Sequence, residues 1–189
     1  MIIGITGTAG VGKSLFAGKV ARDFSGISVI ELNDIAKKYD LFFGSDKFGT
    51  KIVKISALNS KIEGLLNEHK NENLVLVGHL LPELSIKLDC VFVVRAKLDA
   101  LIERLEKRGY AVEKIRENII AEALDYCGVN SEHLSDQVFE IEGEAGMERA
   151  LAFIKAHLGG SNTTGLSKKP IDKMSELFAL IKDGNKYKF

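Results

Sequence analysis

Residues 7–14 read Gly-Thr-Ala-Gly-Val-Gly-Lys-Ser, and this stretch decides the fold. Its spacing, G-x-x-x-x-G-K-[ST], is that of a phosphate-binding loop with Gly7 and Gly12 as the bracketing glycines. The apolar run 2–5 precedes it and indicates a short buried strand, and apolar residues at helical spacing follow it. A strand, a glycine-rich loop and a helix in this order form the context that the motif requires. We therefore predict a nucleoside triphosphate site rather than a turn that binds nothing.

The residue types of the loop explain its chemistry. Glycines lack a Cβ, so the backbone can wrap closely around an anion. The N–H groups of the loop and of the following helix N-terminus then point at the phosphates. Lys13 is placed to reach the β- and γ-phosphates, and Ser14 to offer its hydroxyl to Mg²⁺.

The composition is that of an ordinary globular chain. The 189 residues suit one domain, and 26 basic residues balance 26 acidic ones, so no global charge favours nucleic acid. Cys90 and Cys127 fit no metal or redox spacing, and we expect two buried reduced thiols. Because no secretory segment or membrane span is visible, we expect a cytoplasmic protein without membrane contact.

Apolar runs alternate with stretches of helical spacing along most of the chain. This alternation predicts an α/β fold with a parallel sheet, whose ligands gather at the carboxyl ends of the strands. Residues 40–55 are irregular and resemble a mobile, lid-like insert. Further strands are predicted at 28–32, 74–77, 90–94 and 138–141, and helices at 13–24, 35–39, 55–68, 98–108, 112–127 and 147–158.

The composition changes after Leu158. Residues 159–165 are rich in glycine, serine and threonine and predict a flexible linker. Residues 170–181 carry apolar side chains on one helical stripe, within a basic tail. This helix either docks on the body or on a second copy of the chain, or it binds a partner or RNA through its lysines.

Three arginines lie where phosphoryl transfer needs positive charge. Arg104 and Arg108 are four residues apart and share a helix face, and Arg108 precedes a break at Gly109. A solvated face is the alternative for Arg104. Arg95 ends a buried strand at the predicted ligand edge, where a structural ion pair is the alternative.

One expected acid is missing at that edge. In phosphate-loop enzymes, an acid at the end of a neighbouring strand usually helps to hold Mg²⁺, but residues 74–79 read Leu-Val-Leu-Val-Gly-His. Either Ser14, phosphates and water suffice, or an acid comes from elsewhere, or the chemistry is impaired. His79 is placed to position a water or a substrate phosphate, and Asp34 either binds substrate or caps a helix.

Residues 5–14 and the stretches 104–110, 114–118 and 121–122 resemble a known family. The first looks like its phosphate loop, with Ala9 where proline is usual, and the others look like its lid. This is the family of adenylate kinase isoenzyme six, also called coilin-interacting nuclear ATPase, whose archaeal members are named as putative adenylate kinases. The resemblance covers roughly residues 1–157, and the lid is its specific part.

The resemblance implies a P-loop nucleoside monophosphate kinase-like fold over residues 1–158. Such a fold has a five-stranded parallel sheet flanked by helices, a monophosphate-binding insert, here 29–52, and a small lid, here 104–118. The implied activity is reversible transfer between ATP and AMP with Mg²⁺, beside a side ATPase activity. The family also acts in late maturation of the small ribosomal subunit, which implies a small-subunit ribosomal protein as partner.

Position by position, the resemblance and the strand-edge argument assign roles to particular residues. Val77 stands where the family has the acid of its acid-x-His motif, and Lys37 where it has an arginine. We predict Lys13, Arg108 and His79 as catalytic residues and Ser14 as the metal ligand. Monophosphate binding is assigned to Asp34, Lys37 and Arg95, and ATP binding to Gly10, Val11, Gly12, Lys13, Ser14, Leu15, Arg104 and Arg108.

Three functions compete at this stage. The first is an ATP-dependent nucleoside monophosphate kinase. The second is a nucleotide-switched ribosome assembly factor with weak or no kinase activity, favoured by the basic tail and by the missing acid. The third is a kinase of another small molecule, since such folds accept many substrates. Nucleic-acid binding is not expected from the body of the protein, only through the tail.

Overall fold

The computed structural model describes residues 1–160, 166, 168, 170–182 and 187. Five parallel strands form the central sheet in the order β2-β5-β1-β6-β7, which confirms the predicted α/β fold. The strand β1 lies in the middle, so the loop that follows it opens between two neighbouring strands. The sheet strands are β1 (Ile2–Thr6), β2 (Ile27–Glu31), β5 (Asn73–Val77), β6 (Cys90–Arg95) and β7 (Val138–Glu142).

Helices cover both faces of this sheet, which is why its strands are apolar on both sides. All six residues of β6 are buried. On one face, Phe92 lies at the centre of an aromatic cluster, with ring centroids 5.6 Å from Phe16 and 6.0 Å from Phe139. The helices are α1 (Lys13–Asp23), α2 (Leu32–Lys38), α3 (Ile55–Glu68), α4 (Leu98–Lys107), α5 (Val112–Ala123), α6 (Tyr126–Val129), α7 (Gly143–Leu158) and α8 (Met174–Lys182), with a 3₁₀ turn at Leu81–Glu83.

Several elements differ from the sequence-based expectation. Helices α2 and α7 begin earlier than predicted, at Leu32 and Gly143, so Asp34 lies inside α2 and does not cap it. Residues 40–55 are not irregular: β3 (Phe42–Ser45) and β4 (Lys51–Val53) form an antiparallel hairpin. The helix predicted at 112–127 ends at Ala123, because Asp125 adopts a left-handed backbone with φ 52°. Its side chain then accepts a hydrogen bond from the Gly128 N–H at 3.1 Å and caps α6.

The C-terminal helix α8 docks on the body, as one of the two interpretations predicts. Leu177 is buried in the core. Lys173 is only 2% exposed and pairs with Glu142 and Glu176. Glu176 also accepts a hydrogen bond from the Leu98 N–H at 2.8 Å, at the start of α4. Residues 161–165, most of the predicted linker, lie outside the described residues, as do several tail lysines.

Both thiols are buried and reduced, as expected. Burial raises the pKa of Cys90 to about 12 and also raises the pKa of Cys127. Among the described residues, no helix combines the length and apolar character needed to cross a membrane.

Candidate active site

The phosphate-binding loop joins β1 to α1 in the conformation that its glycines permit. Gly7, Gly10 and Gly12 have φ values of 135°, 93° and 117°, which side chains rarely adopt. A Cβ at Gly7 would lie 2.3 Å from the Val94 carbonyl oxygen. At Gly10 it would lie 2.9 Å from Leu101 Cδ1. Strand β6 and helix α4 therefore hold the loop from outside, and only glycine fits at these two contacts.

Lys13 folds back over its own loop. Its Nζ donates to the carbonyl oxygens of Gly7 and Thr8, at 2.8 and 2.9 Å. Desolvation lowers the pKa of Lys13 to about 8, and the carboxylates of Glu31 and Glu122 oppose that shift. Binding of a phosphate should raise this pKa again, because the anion stabilises the charged form of the lysine.

Ser14 lies at the start of α1 with its side chain exposed to solvent. Its Oγ donates to Glu31 Oε1 at 3.1 Å. Among the described residues, no group of three or more His, Cys, Asp or Glu side chains is placed to enclose a metal. A hydroxyl beside one carboxylate nevertheless fits Mg²⁺, which keeps several waters and takes other oxygens from substrate phosphates.

The two helix arginines lie near the loop in different states. Arg104 Nη1 donates to the carbonyl oxygens of Gly10 and Val11, both at 3.2 Å, so it braces the loop from α4. Arg108 ends the same helix, and its charge lowers the pKa of Lys13. In the part of the chain that the structure describes, no carboxylate forms an ion pair with Arg108, which leaves its guanidinium available to an anion.

A cavity of about 730 Å³ opens beside the loop. Gly10, Val11 and Gly12 form one side, and Leu15 and Met147 add apolar surface. Its polar lining includes Arg104 and Arg108. The structure therefore brings together, around one cavity, most of the residues that we assigned to ATP.

The position of Arg95 contradicts its predicted role in monophosphate binding. Its side chain is 1% exposed and pairs with Glu122, Asp125 and Glu140. Its Nη2 also donates to the Glu122 carbonyl oxygen at 2.7 Å. The residue borders the cavity beside the loop, not the one that Lys37 lines. Assignment of Arg95 to the monophosphate is therefore wrong, because three carboxylates neutralise its charge inside the protein.

This buried ion-pair cluster reaches the loop through one hydroxyl. Thr8 Oγ1 donates to Glu122 Oε2 at 2.7 Å, while Oε1 of the same carboxylate accepts from Arg95 at 2.9 Å. Thr8 and Glu122 are both buried. The loop is therefore tied to α5, the second helix of the predicted lid region.

A second cavity of about 800 Å³ lies under the hairpin. Lys37 lines it, whereas Asp34 does not and instead forms an exposed ion pair with Lys37 at 3.8 Å. His79 lines it from the end of β5. The remaining lining mixes apolar and polar side chains: Asn33, Phe42, Asp46, Thr50, Lys51, Ile52, Val53, Ile55, Leu80, Glu83 and Tyr110.

The charges and the packing around His79 favour its neutral form, although the residue is exposed on the cavity side. Desolvation, reinforced by the charges of Lys13 and Lys114, lowers the pKa of His79 to about 4. Lys13 is thus close enough to influence a residue of the second cavity while it belongs to the loop that lines the first. Lys13 is therefore linked to both cavities: its loop lines the first, and its charge acts on His79, which lines the second.

The hairpin contacts α5 through charged side chains. Lys114 Nζ lies 3.3 Å from Asp46 Oδ2, and Lys47 Nζ lies 3.1 Å from Glu117 Oε1. Lys47 and Lys114 also lie over the ring of Phe48, with Nζ 4.7 Å and 5.3 Å from its centroid, respectively. The insert and the lid region thus meet through exposed ion pairs, which are weak and easily separated.

Comparisons with known proteins agree with this geometry. A family described as "AAA domain" matches residues 3–125. A "Putative adenylate kinase" of Methanocaldococcus jannaschii is 38% identical over 143 residues, which cover 75% of this chain and 76% of that protein. A "Putative adenylate kinase" of Pyrococcus furiosus is 33% identical over 186 residues, or 98% of this chain and 87% of that protein.

The chain belongs to this archaeal adenylate kinase-like family. Among solved structures, a shikimate kinase from Bacteroides thetaiotaomicron superimposes with a TM-score of 0.52 at 18% identity, covering 84% of this chain and 98% of that one. TT1252 from Thermus thermophilus gives 0.50 at 22% identity, covering 84% of this chain and 97% of that one. These likenesses show the P-loop kinase fold.

Sequence reasoning missed two residues of this adenylate kinase-like site. Glu31 ends β2 at the carboxyl edge of the sheet, where the same rule singled out His79 and Arg95. Applying the rule to every strand would have found it. Glu122 belongs to the stretch 121–122 that resembles the lid of the family, but that resemblance assigns it no contact with the loop, because only the fold brings α5 to Thr8.

Proposed function

We propose that the protein is a nucleoside monophosphate kinase that transfers the γ-phosphoryl group of ATP to AMP. The observation that carries this proposal is a pair of cavities that both lie within the influence of Lys13. One is lined by the phosphate-binding loop and the other by the hairpin with Lys37 and His79. The charge of Lys13 reaches His79 in the second cavity, so the lysine would act on both a donor and an acceptor.

The donor site would bind ATP through the loop. Backbone N–H groups of residues 10–15 and Lys13 would cradle the phosphates. Leu15 and Met147 give the cavity apolar surface suited to a nucleoside, while Arg108 remains free to neutralise the phosphates. Ser14 would hold Mg²⁺, and a metal bound there would neutralise negative charge on the phosphates.

The acceptor site would bind the monophosphate under the hairpin. Its volume lies within the range of small-molecule sites, and Phe42, Ile52 and Tyr110 supply apolar surface for a base. Lys37 supplies positive charge for the phosphate. His79, being neutral, can hold a phosphate oxygen or a water with an N–H and accept a hydrogen bond with its other nitrogen.

Transfer in such a site needs positioning and charge rather than a covalent intermediate. The acceptor phosphate oxygen attacks the γ-phosphorus in line, the bond to the bridging oxygen of ADP breaks, and two ADP molecules result. Lys13 and Arg108 stabilise the negative charge on the transferring group, because both are cations beside the loop.

The test mixes the protein with ATP and Mg²⁺, with and without AMP, and follows ADP. We expect AMP-dependent ADP formation at two ADP for each AMP consumed. Lys13→Ala should lower the rate by at least about 10²-fold, since a preorganised charge is lost. Exposed Lys70→Ala is the matched control and should turn over normally. Equal rates for both variants would refute the loop assignment.

A second variant separates the acceptor site from the donor site. Lys37→Ala should raise the KM for AMP by about tenfold or more, with the KM for ATP unchanged, because the lysine lines the acceptor cavity and does not line the donor cavity. If both constants changed together, or neither did, the acceptor assignment would fail. A screen of other acceptors then distinguishes a kinase of another small molecule.

One observation supports a nucleotide-switched assembly factor as the second candidate. Strand β5 ends in the apolar Val77, where an acid normally assists hydrolysis. A side ATPase activity and a small-subunit ribosomal partner are proposals that rest on the family resemblance, whereas slow turnover rests on the missing acid. A cytoplasmic location stays an expectation from the sequence. A pull-down with and without ATP tests the partner: nucleotide-dependent capture of a ribosomal protein is expected, and no such capture would exclude this role.

A further inference from the structure

The missing acid has a neighbour in the sheet. Strand β2 pairs with β5 in parallel, and Glu31 is the residue in register with Val77. Glu31 therefore ends its strand at the same level of the sheet, one strand further from β1. Adjacent parallel strands are about 4.8 Å apart, a distance that a glutamate side chain can span.

The side chain of Glu31 is directed to the phosphate-binding loop and not to its own helix. Although Glu31 precedes α2, it makes no capping hydrogen bond there. In the described part of the chain, its one hydrogen bond is that from Ser14 Oγ to Oε1, at 3.1 Å. Its negative charge also acts on Lys13. The carboxylate thus contacts Ser14 directly and acts on Lys13 through its charge, and these are the two side chains that Mg²⁺ and the phosphates would use.

The surroundings leave room for a hydrated ion. Ser14 is exposed and Glu31 is partly exposed, so water reaches both side chains. A hydroxyl and a nearby carboxylate are the oxygen groups that Mg²⁺ takes from phosphate-loop proteins, the carboxylate commonly through water. A carboxylate that only balanced Lys13 would not need its hydrogen bond to Ser14.

We propose that Glu31 supplies the carboxylate that secures Mg²⁺ beside Ser14, in the place of the acid that β5 lacks. The inference rests on the proposed function in one respect, because it assumes that a nucleoside triphosphate binds at the loop. It makes Glu31 a residue that holds the hydrated metal and orients it on the phosphates. The chain then needs no acid at Val77 to use Mg²⁺.

The test compares nucleotide binding with and without the metal. A non-hydrolysable ATP analogue is titrated by calorimetry into the full chain, once with Mg²⁺ and once with EDTA. Wild-type protein should bind the analogue more tightly with Mg²⁺. Glu31→Gln keeps the shape of the side chain and removes its charge. In this variant, the factor by which Mg²⁺ tightens binding of the analogue should be about 10- to 100-fold smaller than in the wild type. Affinity in EDTA should stay equal or rise, because a negative charge near the phosphates has gone.

The controls separate a metal role from a structural one. Glu63→Gln removes an exposed carboxylate from α3 and should keep the full Mg²⁺ effect. Mn²⁺ binding to the analogue complex, followed by electron paramagnetic resonance, should weaken in Glu31→Gln alone. Thermal unfolding shows whether either variant is misfolded. If Glu31→Gln is misfolded, Glu31→Asp is tested in its place and should retain part of the Mg²⁺-dependent gain in affinity.

Each outcome decides between the two proposals. A full Mg²⁺ effect in Glu31→Gln would overturn the role of Glu31 and leave the kinase intact. A lost effect, in a protein whose wild type gives no AMP-dependent ADP, would support Glu31 and refute the monophosphate kinase. No nucleotide binding by the wild type would overturn both.

Discussion

Nucleotide binding should be coupled to proton uptake at Lys13. Its pKa is lowered to about 8 in the free protein, because the ammonium is desolvated while it donates to the carbonyl oxygens of its own loop. Triphosphate oxygens would replace those weak acceptors with anions and return the pKa to its ordinary range or above. The bound state therefore holds more protons than the free state at alkaline pH.

The size of the uptake follows from the position of that pKa. A group of pKa about 8 is half protonated at pH 8, so binding should take up about 0.5 proton there. The corresponding values are about 0.1 proton at pH 7 and about 0.9 at pH 9. The same linkage makes the apparent affinity fall as pH rises above 8, by up to about tenfold per unit.

Calorimetry in buffers of different ionisation enthalpy measures this uptake. The observed heat of binding a non-hydrolysable ATP analogue is plotted against buffer enthalpy, and the slope gives the protons taken up. Lys13→Arg is the control, because a guanidinium stays charged throughout this range. Protons released by the nucleotide contribute equally in both proteins. A slope that does not rise between pH 7 and 9, or that Lys13→Arg shares, would refute the reasoning.

Further predictions concern the parts that hold the site together. Arg95→Ala should lower the free energy of unfolding by about 3–5 kcal/mol, because Glu122 remains buried without its cation; denaturant titration measures this, and a loss under 1 kcal/mol would contradict it. Gly10→Ala should cost about 1–3 kcal/mol and weaken ATP binding, since φ is 93° and the new Cβ meets Leu101; unchanged calorimetry would argue against the loop geometry. Lys173→Ala should cost about 1.5–3 kcal/mol and speed proteolysis of the tail, because charged hydrogen bonds are lost at a buried site.

Much of the architecture was predictable because it follows local rules. Residue patterns that lie close together in the chain indicate the phosphate-binding loop and the apolar strands. The alternation of these strands with helices indicates that the sheet is parallel. The hairpin at 42–53 was missed because its strands are short and one of them, β3, is mostly exposed and does not alternate. The end of α5 was missed because Asp125 takes a left-handed backbone that its residue type allows but does not demand.

The site shows where such rules stop. Arg95, His79 and Glu31 all lie at the carboxyl edge of the sheet. Arg95 is nevertheless neutralised inside the protein, whereas His79 lines a cavity and Glu31 contacts Ser14. The environment of Arg95 depends on α5, which brings Glu122 to it from 27 residues away in sequence. Local sequence can place a side chain at an edge, but only the packed fold shows which charges around it are already neutralised.

The ion pairs between the hairpin and α5 make the contact between these two elements sensitive to ionic strength, and through it the proposed kinase activity. Lys114–Asp46 and Lys47–Glu117 are partly or largely exposed, so they are screened once the Debye length falls from about 8 Å at physiological salt to about 3 Å at 1 M. In many kinases, product release rather than chemistry limits the rate. If that holds here, moderate salt should speed the departure of ADP before it weakens substrate capture, and kcat should pass through a maximum as salt is raised.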